Sequence, residues 1–463
     1  MGIYPKIDTV NLEPADFQRE ILTKLLINKK NEATELIVQR IKKDKFIYTT
    51  KDDLKSEMWI YKEGIYVPQG RSEIKEITRK ILGEAYTTYI CNNIIEKIEA
   101  DTFIEQDKFF NNNYLNEVPV KNGILNIFTK ELNEFDPKKV FFNKLPVTYD
   151  KVLECPKIEQ FLKEVLKNED DINLIYEIGG FCLLKEYKYE KSFIFTADGR
   201  NGKGKTIELI KRVIGIENCT NVPLSSIDYH SFRISELHGK MVNLAGEVSN
   251  KDMKETGLFK ELTGRDFISA KRKFLRPINF QNYAKFIFAC NALPMVYDTS
   301  KGFWDRWVLL EFPYTFITQS EYDALDNKDG FKLRDEHIID KITTDEELSG
   351  LLNKFLEGLE RLENNRDFSY TKGSKEVKET WIRKSNSFMA FCLDYIVEDY
   401  DNYMSKKELR KRYVDYCKKH KTKSKSDFVI KKVLQEEFGA SEENKNLLGD
   451  IWEKCWFGIK FKD

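Results

Sequence analysis

The stretch Phe193-Ile-Phe-Thr-Ala-Asp-Gly199-Arg-Asn-Gly202-Lys-Gly204-Lys205-Thr206 constrains this chain more than any other. An apolar run feeds a glycine-rich loop closing on Gly-Lys-Thr, the pattern G-x-x-x-x-G-K-[ST], so a buried strand, a tight loop and a helix are expected in that order. Backbone N–H groups of such a loop, with those of the helix start, converge on one concave surface suited to phosphate oxygens. The strand is expected at Ser192 to Thr196, and the helix from Thr206 to Val213 with Ile207, Ile210 and Val213 on its apolar face. In that frame Gly199, Asn201, Gly202, Lys203, Gly204, Lys205 and Thr206 cradle ATP. Lys205 neutralises the terminal phosphates and the Thr206 hydroxyl ligates Mg²⁺.

At 463 residues the chain exceeds one ordinary core, and two to four domains are expected. Its 76 basic and 76 acidic residues balance, so any nucleic-acid contact must be local. The eight cysteines show no C-x-x-C spacing and there are only four histidines, which argues against a disulfide framework and against a zinc site. The start of the chain is charged, and no apolar run approaches the roughly eighteen residues of a membrane span. A soluble protein of a reducing cytoplasm is expected.

Residues 1–150 read as a mixed α/β domain. Pro14 to Lys43 carries a helical pattern; Trp59 to Val67 reads as a hairpin turning at Glu63-Gly64, and Val118 to Ile127 as another turning at Asn122-Gly123. Residues 151–372 open with a helical pattern from Ile158 to Leu184. Apolar runs then alternate with helix-like segments, as in a mostly parallel sheet with helices around it. Helix returns from Ile338 to Asn364. Residues 373–463 read as three helices, at Phe388 to Glu398, Ser405 to His420 and Lys425 to Phe438, before a hairpin of Leu447 to Trp452 and Trp456 to Phe461. That pattern describes a winged-helix-like module. Between Met404 and Gln435 twelve Lys/Arg stand against three acidic residues, either a nucleic-acid face or a solvated one.

Hydrolysis needs more than a phosphate cradle: an acid for metal or water, a polar sensor, and a cation for the developing charge. Met241 to Ala245 is a strand-like run reaching Gly246-Glu247, and Glu247 is expected beside the P-loop, orienting the lytic water and assisting Mg²⁺. Tyr283 to Cys290 is another buried-type run ending at Asn291, an amide suited to a phosphate oxygen or the water. Phe303-Trp-Asp305-Arg306-Trp307 offers Arg306, either as a cation reaching a neighbouring subunit's ATP or as a packing partner of the tryptophans. Lys271, Arg272 and Lys273 form a basic tip between strand-like runs, suited to a phosphate backbone, or equally a solvated turn.

The ordered set resembles the superfamily 3 helicases, and within them the helicase part of phage, plasmid and poxvirus-type primase-helicases: P-loop, acidic strand end, Leu262-Thr-Gly-x-Asp266 with its basic hairpin, a strand ending Asn291-x-x-Pro294, and the aromatic-Arg segment. Gly64-Ile65-Tyr66 and Pro119-Val120-Lys121-Asn122-Gly123 match that group's N-terminal region, so the likeness spans about residues 40 to 460. The resemblance implies an AAA+-type core. It implies a replicative DNA helicase of a mobile genetic element, working as a ring, hexameric in the family, moving 3′ to 5′ on single-stranded DNA in a prokaryotic or virus-infected cell. By the same resemblance Lys205 and Thr206 serve nucleotide and Mg²⁺, Glu247 hydrolysis, Asn291 sensing, Arg306 the finger, and Lys271 to Lys273 the grip on DNA. Two positions depart from the family: Gly246 stands where a second acid is usual, and Asp305 where a second arginine is common. The region before Asp150 is short and lacks a paired-carboxylate polymerase motif, so no priming is expected; a primase or initiator would act as a separate partner. An ATP-switched origin-melting or loading factor, a P-loop kinase, and an RNA track remain as other readings.

Overall fold

The computed structural model describes residues 14–52, 56–110, 114–197, 199–246, 253, 255–273, 275–291, 293–296, 298, 300–420, 422–448 and 451–462. It divides into two compact units, Met1–Tyr149 and Asp150–Asp463.

In the first unit, the stretch expected as one helix is two, Pro14–Leu26 and Lys30–Asp44. Asn28 interrupts it at φ 61°, and the Lys29 N–H closes back on the Lys24 carbonyl at 2.8 Å. Asparagine tolerates that left-handed geometry better than most residues, and the bond back across the last turn satisfies a helix-end carbonyl. The hairpin Met58–Lys62/Ile65–Val67 turns on Glu63 and Gly64, at φ 46° and 102°. Two successive positive φ angles are what a two-residue turn between twisted strands demands. The sheet runs in the order Ile65–Val67, Met58–Lys62, Ile47–Thr50, Phe103–Ile104. Ile37, Val38 and Ile41 from helix Lys30–Asp44 and Ile94 and Ile98 from helix Thr88–Asp101 share its core with Ile47 and Ile60. In the second hairpin Val120 pairs with Gly123, so the turn is Lys121-Asn122, one residue earlier than expected. The Asn122 amide bonds the Tyr149 backbone in both directions, at 2.9 and 3.0 Å.

The second unit is organised by a five-stranded sheet in the order Trp307–Glu311, Ser192–Thr196, Lys285–Cys290, Val242–Ala245, Cys219–Thr220. Every pairing is parallel. Ser192–Thr196, Val242–Ala245 and Lys285–Cys290 are buried along their whole length, as strands covered on both faces must be. The mixed α/β architecture with a parallel sheet agrees with the alternation of apolar runs and helical segments. One neighbour relation differs from expectation. Lys285–Cys290, last but one in sequence, sits between the P-loop strand and Val242–Ala245, so the latter is one strand removed from the loop.

Helices Pro156–Val165 and Glu169–Leu183 replace the single expected helix, and Ile338–Ile342 and Asp345–Asn365 likewise divide, with Thr344 capping the second. A separate hairpin, Phe267–Arg272/Leu275–Gln281, stands off the main sheet between helix Gly257–Thr263 and strand Lys285–Cys290. After helix Ser374–Ser385, helices Ser387–Tyr395, Lys406–Lys419 and Asp427–Phe438 pack on a sheet ordered Ile396–Ser405, Ile451–Phe461, Ser441–Leu448. Phe388, Phe391, Tyr413, Leu434, Trp456 and Ile459 fill its core. The helix expected over Phe388 to Glu398 ends at Tyr395, and Ile396–Ser405, which was not expected as a strand, follows it.

Candidate nucleotide site

The glycine-rich loop leaves the carboxyl end of Ser192–Thr196, where open α/β sheets bind ligands. Its helix begins at Lys203, three residues before the expected start, and runs to Ile214. Gly202 is the residue before it, at φ 88°, and a Cβ there would meet Val165 Cγ1 at 2.6 Å. Both the left-handed backbone and the contact with Val165 require glycine.

The register pairs Thr196 with Cys290, which brings Asn291 against the first residues of the loop. Lys203 makes the junction. Its side chain is buried, 7% of the residue being exposed, and Nζ donates to Asn291 Oδ1 at 2.7 Å, Ala197 O at 2.9 Å and Cys290 O at 3.1 Å. Lys205 is exposed instead, with Nζ 3.5 Å from the Glu336 carbonyl. Thr206 is fully buried, and its hydroxyl donates to Gly202 O at 3.2 Å. On the loop's outer side Arg200 pairs with Glu321 at 2.9 Å, and its carbonyl accepts the Phe316 N–H at 2.6 Å. The Glu321 carboxyl is held at about 2 by the Thr318 backbone N–H first and by Arg200 next.

The loop opens on a cavity of about 800 Å³, within the size range of small-molecule sites. Gly199 to Lys205 and Asn291 form one wall; Phe161, Val165, Phe316, Leu333, Ile338 and Ile339 supply apolar surface, and Arg334 adds a further cation. Phe316 and Leu333 come from a parallel two-stranded ribbon, Thr315–Ile317 with Phe331–Leu333. No sequence signal marked that ribbon, because its residues meet the loop only through tertiary pairing.

Of the other expected residues, Arg306 and Lys271 to Lys273 are not among those lining this cavity. Glu247 lies outside the described residues, which reach Gly246 at the end of its strand. Arg306 precedes strand Trp307–Glu311 at the amino end of the sheet, where its carbonyl accepts the Ser192 N–H at 2.6 Å. Its guanidinium donates to Thr263 Oγ1 at 2.9 Å, Glu190 Oε2 at 2.8 Å and the Gly302 carbonyl. Asp305 beside it binds Lys301 at 2.5 Å. Lys271 and Lys273 are exposed at the hairpin tip and Arg272 is half-buried, with the strand bulged between Ala270 and Arg272. Phe267, Ser269 and Lys271 alternate onto its exposed face.

Of the two expected Mg²⁺ donors, Thr206 and Glu247, only Thr206 lies among the described residues. Thr206 turns its hydroxyl into the loop's own carbonyl rather than the cavity. Among the described residues no group of three His, Cys, Asp or Glu side chains could hold a metal ion, and no helix is long and apolar enough to cross a membrane.

Against known proteins, residues 24–167 match the family described as D5 N terminal like, and residues 195–306 match a family of unknown function, DUF5906. A protein of Acanthamoeba polyphaga mimivirus, provisionally named as a helicase, is 28% identical over 179 residues, 37% of this chain. The match spans only 19% of that relative's length. Among solved structures, the A form apo structure of the NrS-1 C terminal region aligns over 91% of this chain and 98% of its own, at 12% identity and a TM-score of 0.45. A second apo structure of that region aligns over 89% and 96%, at 12% identity and a TM-score of 0.42. The D5 N terminal match and the helicase relative support a primase-helicase-type family.

Proposed function

We propose that the chain is an ATP-driven nucleic-acid motor, a replication helicase of superfamily 3 type with an AAA+-type core, working as a ring on single-stranded DNA. The observation that carries this reading is the P-loop at the carboxyl end of a parallel strand, bonded through Lys203 to Asn291 just past the end of the adjacent strand and open to the cavity. Phosphates lying on the Gly199–Thr206 loop would contact the strand end that carries Asn291, so loss of the terminal phosphate changes the contacts of both. Asn291 then acts as the sensor and Arg306 as a cation for the nucleotide of a neighbouring subunit. The exposed Phe267 and Lys271 face, with Arg272 and Lys273, suits stacking on bases and contact with a phosphate backbone. The basic C-terminal module, winged-helix-like in its three helices and hairpin, adds a second nucleic-acid surface.

Turnover of ATP by the full chain, with and without single-stranded DNA and alongside a particle-size determination, tests this reading. Turnover that DNA stimulates, in an assembly larger than one chain, supports it. ATP turnover indifferent to DNA favours a small-molecule kinase, and DNA-stimulated turnover without strand displacement on a fork favours a loading or melting factor.

A further inference from the structure

The loop holds two Gly-Lys pairs, Gly202-Lys203 and Gly204-Lys205, and the geometry points to Lys203, not Lys205, as the lysine that neutralises the triphosphate, leaving the next position, Gly204, without a metal-binding hydroxyl. The inference rests on the nucleotide reading above and specifies which atoms of that site meet phosphate and metal.

The first helical residue is Lys203, so its side chain starts at the loop mouth and folds back over it. Successive helical residues are turned by about 100°, which sets Lys205 roughly 200° around the axis from Lys203. The contacts agree: Lys203 Nζ spans Ala197 O and Asn291 Oδ1, the two sides of the cradle, while Lys205 reaches the Glu336 carbonyl at the rim. A buried ammonium at the mouth of the cradle gains a strong charge-assisted bond when a phosphate oxygen approaches, whereas an exposed one exchanges water for phosphate with little gain. The motif's frame therefore moves two residues toward the N-terminus. Ala197 takes the place of its first glycine, Gly202 that of its second, and Gly204 the place of the Ser or Thr. Thr206 cannot substitute, being buried with its hydroxyl on Gly202 O. Space for a hydroxyl does exist, because a Cβ built on Gly204 meets nothing within 4 Å.

The test is equilibrium binding of ATP to the full chain, with and without Mg²⁺, for the wild type, Lys203→Met, Lys205→Met and Gly204→Ser. Loss of a charged hydrogen bond predicts that Lys203→Met weakens binding by about 10- to 100-fold, while Lys205→Met changes it by less than about threefold. Gly204→Ser should strengthen binding in Mg²⁺ by roughly 3- to 10-fold and leave metal-free binding unchanged, as one added oxygen ligand does. If Lys203→Met does not fold, as judged by its thermal melt, Lys203→Arg against Lys205→Arg makes the same comparison, since a planar guanidinium cannot copy the contacts of a compact ammonium. Equal or greater loss in the Lys205 variant overturns the assignment, as does a Gly204→Ser chain with unaltered Mg²⁺ dependence. A wild-type chain that binds no ATP removes the nucleotide reading itself, a different result from either.

Discussion

The two ends of the five-stranded sheet handle their cations in opposite ways. At the carboxyl end Lys203 is buried beside an open cavity, held by oxygens that an incoming anion can join. At the amino end Arg306 is already engaged by Thr263, Gly302 and Glu190 within its own chain. The five-residue strand Ser192–Thr196 separates them, about 16 Å at roughly 3.3 Å per residue. Arg306 is thus out of reach of the nucleotide its own chain would hold, and any catalytic role has to be exercised on another subunit. Glu190, half exposed, is the partner most readily exchanged for a phosphate. One end is open to a ligand; the other is already tied within its own chain.

The strongest way to break this contrast is Arg306→Ala. ATP binding should stay within about twofold while hydrolysis falls by 10³-fold or more, the range seen for trans-acting arginines, and mixed assemblies should be poisoned by a minority of mutant chains. Wild-type hydrolysis in the variant would show that the amino-end cation only packs. Next in size, Lys271→Ala with Lys273→Ala should spare basal turnover, abolish its stimulation by DNA and lower the salt slope of single-strand binding by about 1.4, two contacts at roughly 0.7 each. An unchanged slope would clear the hairpin of any phosphate contact.

A second amino-end cation sharpens the comparison through pH. Lys285 opens its strand wholly buried, donates to the carbonyls of Leu184 and Tyr283, the latter at 2.8 Å, and lies 4.8 Å from the centre of the Phe181 ring. Burial lowers its pKa from 10.5 to about 7, with Cys182 and Glu186 opposing. The unfolded chain keeps this proton up to about 10.5 and the folded chain releases it near 7, so this group makes the fold more stable as pH rises between those values. Melting temperatures between pH 7 and 9 should climb for the wild type and flatten for Lys285→Met; identical slopes would contradict the assignment. The smallest effect is expected from Glu190→Gln, which loosens Arg306 at a cost of about 0–1 kcal/mol, as for other partly exposed pairs, and is checked by denaturant melts. A loss of several kcal/mol would mean that the pair holds the fold together and cannot exchange its partner.

What was legible in the sequence was local. The strand Ser192–Thr196 and the turn at Glu63-Gly64 follow from apolar runs and from residues that accept positive φ, so neighbouring residues alone determine them. The slot of Lys285–Cys290 between the P-loop strand and Val242–Ala245 is a pairing between distant segments, which periodicity does not encode. The same reason hid the Phe316 and Leu333 wall of the cavity. The lysine assignment is subtler. On paper only Gly204-Lys205-Thr206 completes the motif, whereas the helix start at Lys203 follows the left-handed turn of Gly202, which lies close against Val165. Glu247 stays an expectation from sequence.

The central claim, a P-loop that turns ATP over for work on a polynucleotide, is tested most directly by steady-state ATP hydrolysis of the full chain titrated with single-stranded DNA. The account predicts Mg²⁺-dependent turnover that rises with DNA and disappears in Lys203→Met. Turnover that ignores DNA at every concentration, or none at all from a chain that binds ATP, would contradict it.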